Sequence, residues 1–312
     1  MEKLNVWIDS DCGIDDAIAI ITACGLKELN IVGASAVVGN VEVDKTYRNV
    51  RNVLSLIHRE DIPVYKGAAK PIIKPYFSAS YFHGSNGLGG AEIPESKAKH
   101  EEKNAYDALY EKARELGGNL YVAALGPLSN LAITIADHPD IVNYIRAIAI
   151  MGGAVEGGNV TPCAEFNIFC DPHAAEVVFK SGIEVIMCGL DVTMQMKLGQ
   201  SDIDEIYAYG NKVGDLLYTS TITTKQFYRA ENERMIYLHD CCPLFYLAHP
   251  ELFKAVKCGI YVETEGEITL GKTVTDVYSD HKWEDRHCKA VMKIDHDRFI
   301  DMVKDIYRSY EE

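Results

Sequence analysis

The feature that most limits how this chain can fold is a repeated alternation of short apolar runs with helix-like patterns. Residues 4–8 read as a buried strand, and Gly13 then opens a helix-like run through Ile14, Ile18 and Ile21. Residues 31–38 form a second strand-like run ending at Gly39-Asn40, before an amphipathic stretch marked by Val43, Tyr47, Val50, Val53, Leu54 and Ile57. Residues 62–65, 120–125, 147–150 and 185–188 are further short strands of the same kind. Strand, helix, strand repeated in this way implies parallel pairing with helices on both faces. The expected fold class is α/β, a mostly parallel central sheet flanked by helices. Ligands of such sheets collect at the carboxyl ends of the strands, so the residues just after each run are the ones to inspect.

Residues 76–104 break the alternation with a polar, Gly-rich segment (His83-Gly84-Ser85-Asn86-Gly87-Leu88-Gly89-Gly90) too long for a routine connector. Ordered loops of this length are usually functional covers. After Asp191 the pattern turns more helical to about residue 249. Residues 259–294 are β-rich, with hairpin turns expected at 264–266 and 270–272, and a closing helix is expected near Asp295. No repeat, low-complexity tract or linker divides the 312 residues. One large domain over 1–312 is expected, with the β-rich stretch as a smaller extension near the C-terminus.

Composition narrows the partners. With 46 acidic side chains against 31 Lys plus Arg, the formal net charge is −15. That balance argues against nucleic acid or an anionic membrane surface as the partner, while leaving room for a small ligand or a metal ion. The nine cysteines contain no C-x-x-C pair, so neither a zinc ribbon nor a thioredoxin-like site is signalled. The first residues lack the charged-then-apolar build of a signal peptide. The longest mostly apolar stretch, residues 120–136, is broken by Gly126-Pro127, Ser129 and Asn130. A reduced, soluble, cytoplasmic protein is the expectation.

Four carboxylates stand within eight residues at the first strand-to-helix turn, Asp9-Ser10-Asp11-Cys12-Gly13-Ile14-Asp15-Asp16. Helix capping and the helix dipole explain one or two of them, such as Asp11 or Asp15, but not four. Left bare they would repel one another. A divalent cation is the reading that accounts for them together, and calcium or magnesium suits an all-oxygen site better than zinc. Other strand ends add polar groups: Asn40, the Leu125 backbone before Gly126-Pro127, and Met151-Gly152-Gly153. Asn159 leads into Glu165-Phe166-Asn167, and His239-Asp240 opens an apolar helix over residues 244–248. Each alone reads as a cap or a turn. Their coincidence at strand ends makes a pocket.

These residues resemble the motifs of the inosine-uridine preferring nucleoside hydrolases. D-x-D-x-x-x-D-D spans Asp9 to Asp16, V-V-G-N ends at Asn40, F-H-G-S-N-G-L-G-G runs from Phe82, and A-L-G-P-L-S-N ends at Asn130. M-G-G-A from Met151, G-N-V-T-P-C-A-E-F-N ending at Asn167, L-H-D ending at Asp240 and a terminal V-M-K-I-D-H-D-R-F complete the set. They follow the family's order over nearly the whole chain. Cys12 departs from it, standing where the family has Pro.

The resemblance implies a Rossmann-like nucleoside hydrolase fold and hydrolysis of a ribonucleoside to ribose and free base, with inversion at the anomeric carbon. It implies one Ca²⁺ per chain held by Asp11, Asp16, Asp240 and the main-chain oxygen of Leu125. Asp15, Asn40, Met151, Asn159, Glu165 and Asn167 would meet the ribose. Asp11 would be the general base, His239 the residue that assists the departing base, and His83 a second candidate for that role. Phe166, Phe227, Tyr228 and Tyr237 are candidates to pack around the base, Phe166 and Tyr228 foremost. A homotetramer or homodimer is also implied. The preferred base is left open, with a lean to pyrimidine or broad specificity. A catalytically silent nucleoside- or ribose-binding protein is the alternative. A phosphotransferase of the haloacid dehalogenase type shares D-x-D but needs a basic phosphate cluster that is missing here.

Overall fold

The computed structural model describes residues 3–224, 235–277 and 287–310. Its strands are β1 (Leu4–Ser10), β2 (Leu29–Ala36), β3 (Val64–Lys66), β4 (Leu120–Ala124), β5 (Ile145–Met151) and β6 (Val185–Cys188). They continue as β7 (Lys197–Leu198), β8 (Ile236–Tyr237), β9 (Phe253–Val262), β10 (Thr273–Asp276) and β11 (Cys288–Ile294). Nine of them form one sheet in the order β10-β9-β11-β6-β5-β4-β1-β2-β3, and β7 pairs with β8 apart from it. From β11 to β3 every neighbour is parallel. The β-rich C-terminal stretch adds β9 and β10 antiparallel at one edge. Both expected hairpin turns lie within the single connection of residues 263–272, which Glu263 and Lys272 close by a backbone hydrogen bond of 2.9 Å.

The side chains of β1 alternate between two cores, as a strand buried on both faces must. Val6 and Ile8 join a cluster with the helices Ile14–Gly25, Cys241–Ala248 and His296–Ser309. Trp7 faces the other way, into the cluster that includes Leu109, Leu131 and Val178. The closing helix shows why the sequence folds this way: Phe299, Ile300, Val303, Ile306 and Tyr307 form one buried stripe at helical spacing. Among the described residues, no helix is long and apolar enough to cross a membrane.

Strand order reverses between β1 and β4: β2 and β3 follow β1 on one side, while β4, β5 and β6 run out on the other. Such a switch point opens a crevice beyond the carboxyl ends of the strands. The acid-rich turn after β1 and the Leu125-Gly126 step after β4 both fall there.

Candidate active site

Asp11 lies on the turn between β1 and the helix Ile14–Gly25, and Asp15 and Asp16 sit in that helix's first turn. Asp16 ties the turn together, because its Oδ1 accepts the Ser10 hydroxyl (2.7 Å) and its Oδ2 accepts the Gly13 N–H (2.8 Å). Asn40, beyond the end of β2, donates its Nδ2 to Asp16 Oδ2 (3.2 Å) and its backbone N–H to Asp11 Oδ2 (2.7 Å). The Asp11 carboxylate is gripped by two glycine backbones. A Cβ on Gly39 would lie 2.0 Å from Oδ2, and one on Gly126 would lie 2.6 Å from Oδ1. Only glycine lets both loops close on the acid this tightly.

Asp240 comes from the opposite side, at the N-cap of the helix Cys241–Ala248. Asp15, Asp16 and Asp240 each bring a carboxylate oxygen within 4.8 Å of the others'. Asp11 stands outside that tightest group, so the structure gathers Asp15 with Asp16 and Asp240 where the sequence named Asp11. Burial, then the neighbouring carboxylates, push Asp11 and Asp240 well above the ordinary carboxyl range and Asp15 to about 8. Burial raises Asp16 as well. Buried acids that raise one another form a set short of positive charge. Oxygen donors alone, without His or Cys among them, fit a hard divalent cation.

Asp9 is the exception among the four acids of the motif. Strand alternation turns it onto the Trp7 face, where its Oδ1 accepts the Ser35 hydroxyl (2.5 Å) and Asn130 Nδ2 (2.6 Å). Trp7 Nε1 donates to the same Ser35 oxygen (2.8 Å). Asp9 is therefore a buried structural acid away from the pocket, pushed up to about 6 mainly by burial.

The third wall is a short loop that the sequence left irregular. In the structure Glu165 is the N-cap of a helix, Phe166–Cys170, and accepts the N–H groups of Asn167 (3.0 Å), Ile168 (3.2 Å) and Gly153 (2.9 Å). Burial still raises its carboxyl to about 7. Asn167 Nδ2 donates to the carbonyls of Leu125 (2.7 Å) and Met151 (3.0 Å), joining the ends of β4 and β5. Asn159 Oδ1 accepts the Phe166 N–H (2.9 Å).

Two adjoining chambers result. The inner one, about 70 Å³, is lined by Asp11, Asp15, Asn40, Leu125, Met151, Asn159, Glu165, Phe166, Asn167, His239 and Asp240. The outer one, about 290 Å³, shares Asp15, Asn159, Phe166 and His239 and adds Ile14, Ala79, Tyr81, Phe82, Val160, Ile236 and Tyr237. Together they reach the lower end of the ~300–1,000 Å³ range of small-molecule pockets. Every described residue expected from the sequence lines the inner chamber except Tyr237, which lines the outer one, and Asp16 and His83, which stand just behind the inner one. His83 Nδ1 accepts the Ile14 N–H (3.1 Å), and Phe82 beside it carries the long loop into the outer wall. Tyr228 and Phe227 lie outside the described residues.

Burial pushes His83 down to about 3, with a further contribution from His239, and His239 itself down to about 4. At these values both rings are neutral at pH 7.

Residues 6–301 match the sequence profile described as inosine-uridine preferring nucleoside hydrolase. The chain belongs to that family. It is a ribonucleoside hydrolase, a glycosidase that releases ribose and free base. Pyrimidine-specific ribonucleoside hydrolase RihA of Shewanella sp. strain MR-7 is 38% identical over 307 residues, 98% of this chain and 96% of that protein. The protein of the same name from Shigella boydii serotype 4 is 37% identical, over 98% and 99% of the two chains. A solved plant nucleoside hydrolase, PpNRh1, superposes with a TM-score of 0.92 at 31% identity, covering 98% and 99%. The purine-preferring ribonucleoside hydrolase from Gardnerella vaginalis does so with 0.91 at 30%, covering 98% of each.

Seen as a nucleoside hydrolase, the site contains residues that nothing in the sequence singled out. Ile14, Val160 and Ile236 are ordinary apolar positions until the fold turns them into the outer chamber. Thr193, bonded to His239 (2.8 Å), lacks any motif of its own. Tyr81 and Phe82 could have been noticed as aromatics flanking the Gly-rich run.

Proposed function

We propose that this hydrolase holds the ribose of its substrate in the inner chamber and the base in the outer one, and that pyrimidine ribonucleosides are its preferred substrates. The observation that carries the first part is the division itself: acids and amides within, aromatic and aliphatic side chains without. The second part is supported by the pyrimidine-specific relatives at 36–38% identity. Asp16, Asp240, Asp11 with Asp15 beside it, and the Leu125 carbonyl would hold one calcium ion. When bound, calcium orients the vicinal hydroxyls and lowers the pKa of a water.

The chain's own residues account for the remaining steps. Asn40, Asp15, Asn159, Glu165 and Asn167 bind the ribose hydroxyls, with Met151 against the ring. Asp11, fixed by the Asn40 N–H and by two glycines, takes the proton of the attacking water. The surrounding carboxylates stabilise the oxocarbenium-like charge that develops on the sugar. Water attacks directly from one face, so the anomeric carbon inverts. His239, backed by His83, presents an N–H to the departing base. The unit of function is one domain over residues 1–312. A reducing cytoplasm suits its nine cysteines, seven of them buried, and the homodimer or homotetramer expected from the resemblance is checked by sedimentation.

The test is ribose release from uridine, cytidine, inosine, adenosine and guanosine. Faster release from uridine and cytidine supports the proposal. Faster release from purines overturns the base preference, and no release from any overturns the catalytic reading in favour of a silent binding protein.

A further inference from the structure

The small pair β7–β8 has one evident effect, which is to fix the segment carrying His239. Lys197 pairs with Tyr237 and Leu198 with Ile236, and the Leu238 N–H continues the ladder to the Met196 carbonyl (2.8 Å). At the far end of this ladder the hydroxyl of Thr193, a fully buried residue closing the helix Leu190–Thr193, lies 2.8 Å from Nδ1 of His239. β6 delivers that short helix through Gly189, a position where a Cβ would meet the Gly153 carbonyl oxygen at 2.7 Å. The hydroxyl is thus placed by backbone on both sides.

The direction of this hydrogen bond decides the chemistry of the ring. A hydroxyl has one proton to give, and a buried donor left without an acceptor is costly. Among the described residues, His239 is the only hydrogen-bond partner of Thr193 Oγ1. If Nδ1 carried the ring proton, the hydroxyl would accept and its own hydrogen would be stranded. If the hydroxyl donates to Nδ1, nothing is stranded, and the ring carries its proton on Nε2. His83 is an internal comparison, because its Nδ1 faces the Ile14 N–H, which can only donate. That ring carries its proton on Nε2 by the same logic.

We propose that Thr193 is a positioning residue for glycosidic cleavage: its hydroxyl donates to Nδ1 of His239 and holds the ring as the Nε2–H tautomer, ready to donate to the departing base. The proposal rests on the reading of His239 given above, and the experiment separates the two.

The primary measurement is the ¹⁵N NMR signature of His239 in the ¹⁵N-histidine-labelled protein, with Thr193→Val and Thr193→Ser alongside. The parent should show a protonated Nε2 and a bare Nδ1. Thr193→Val, which keeps the shape and loses the hydroxyl, should lose that single tautomer, and Thr193→Ser should keep it. On uridine, Thr193→Val should lower kcat about tenfold to a hundredfold with KM little changed, within the contribution of a positioned proton donor. On a nitrophenyl riboside, whose leaving group needs no proton, it should change by less than about twofold. A parent ring protonated on Nδ1, or a Thr193→Val protein that keeps both tautomer and kcat, overturns the proposal alone. His239→Ala rates equal to the parent's on uridine overturn the leaving-group reading, and the catalytic part of this proposal with it, whatever the tautomer.

Discussion

Around Asp11 the pocket is made of strand ends and backbone, whereas around the outer chamber it is made largely of loops and side chains. The Asp11 carboxylate sits between Gly39 and Gly126 and is held by a backbone N–H of Asn40. Across the inner chamber, Asn167 joins the carbonyls that end β4 and β5. The outer chamber depends on residues 79–82, at the short helix Ser80–His83 within the long Gly-rich segment, and Tyr81 among them is 59% exposed. The difference teaches where precision is needed. The sugar and the water must be placed to a fraction of an ångström, while a base has only to be covered and given a proton. Changes to the inner chamber should therefore act on kcat, and changes to the outer one on KM and on the choice of base.

The largest effect expected is that of Asp11→Asn, which keeps the shape and removes the proposed general base. Ribose release should fall by about three orders of magnitude or more with KM little changed, within reach of general-base catalysis. Near-parental turnover would remove Asp11 from that role. Next comes Gly39→Ala, whose Cβ would collide with Asp11 Oδ2. A displaced base should cost about a hundredfold in kcat, measured on protein that still melts cooperatively. Phe82→Ala, a change confined to the outer chamber, should act on the other side, raising KM by about three- to tenfold, the scale of one aromatic contact. It should do so unequally for uridine and inosine. An equal loss of kcat on both would mean that the chambers are not separable.

The smallest effect on catalysis belongs to Asp9→Asn, since Asp9 faces the Ser35 and Asn130 network. Its carboxyl is raised to about 6 in the folded protein. The stability it contributes is therefore fully present below the unfolded value near 3.8 and lost as pH rises through about 6. Relative to the parent, Asp9→Asn should gain about 1.4 kcal/mol between pH 5 and pH 8, read by denaturant melts at both. Ribose release should stay within about threefold of the parent's, as surface and structural changes outside the site do.

The same division governs how much could be read from the chain. Strands buried on both faces announce themselves as apolar runs, so six of them were legible. Their ends were less so: the second run was expected over 31–38, yet β2 stops at Ala36 because Val37 and Val38 already belong to the loop that carries Gly39 and Asn40 to the site. β7 and β8, two residues each, have no periodicity to detect. Glu165 read as a loop acid because the helix it caps is only five residues long. The Asp motif was legible as a group but not in its parts, since Asp9 is still inside β1, on the Trp7 face, whereas Asp11 lies past the strand's end on the turn that enters the pocket. Outer-chamber residues such as Ile14 and Val160 became visible only with the fold.

We infer that the acids at the switch point hold a cation with which the inner chamber works. The direct measurement is metal content and ribose release on one sample, before chelation, after exhaustive chelation and after calcium is returned. We expect about one calcium per chain, loss of ribose release on its removal and recovery on its return. A metal-free protein that cleaves nucleosides at the parental rate would contradict the account.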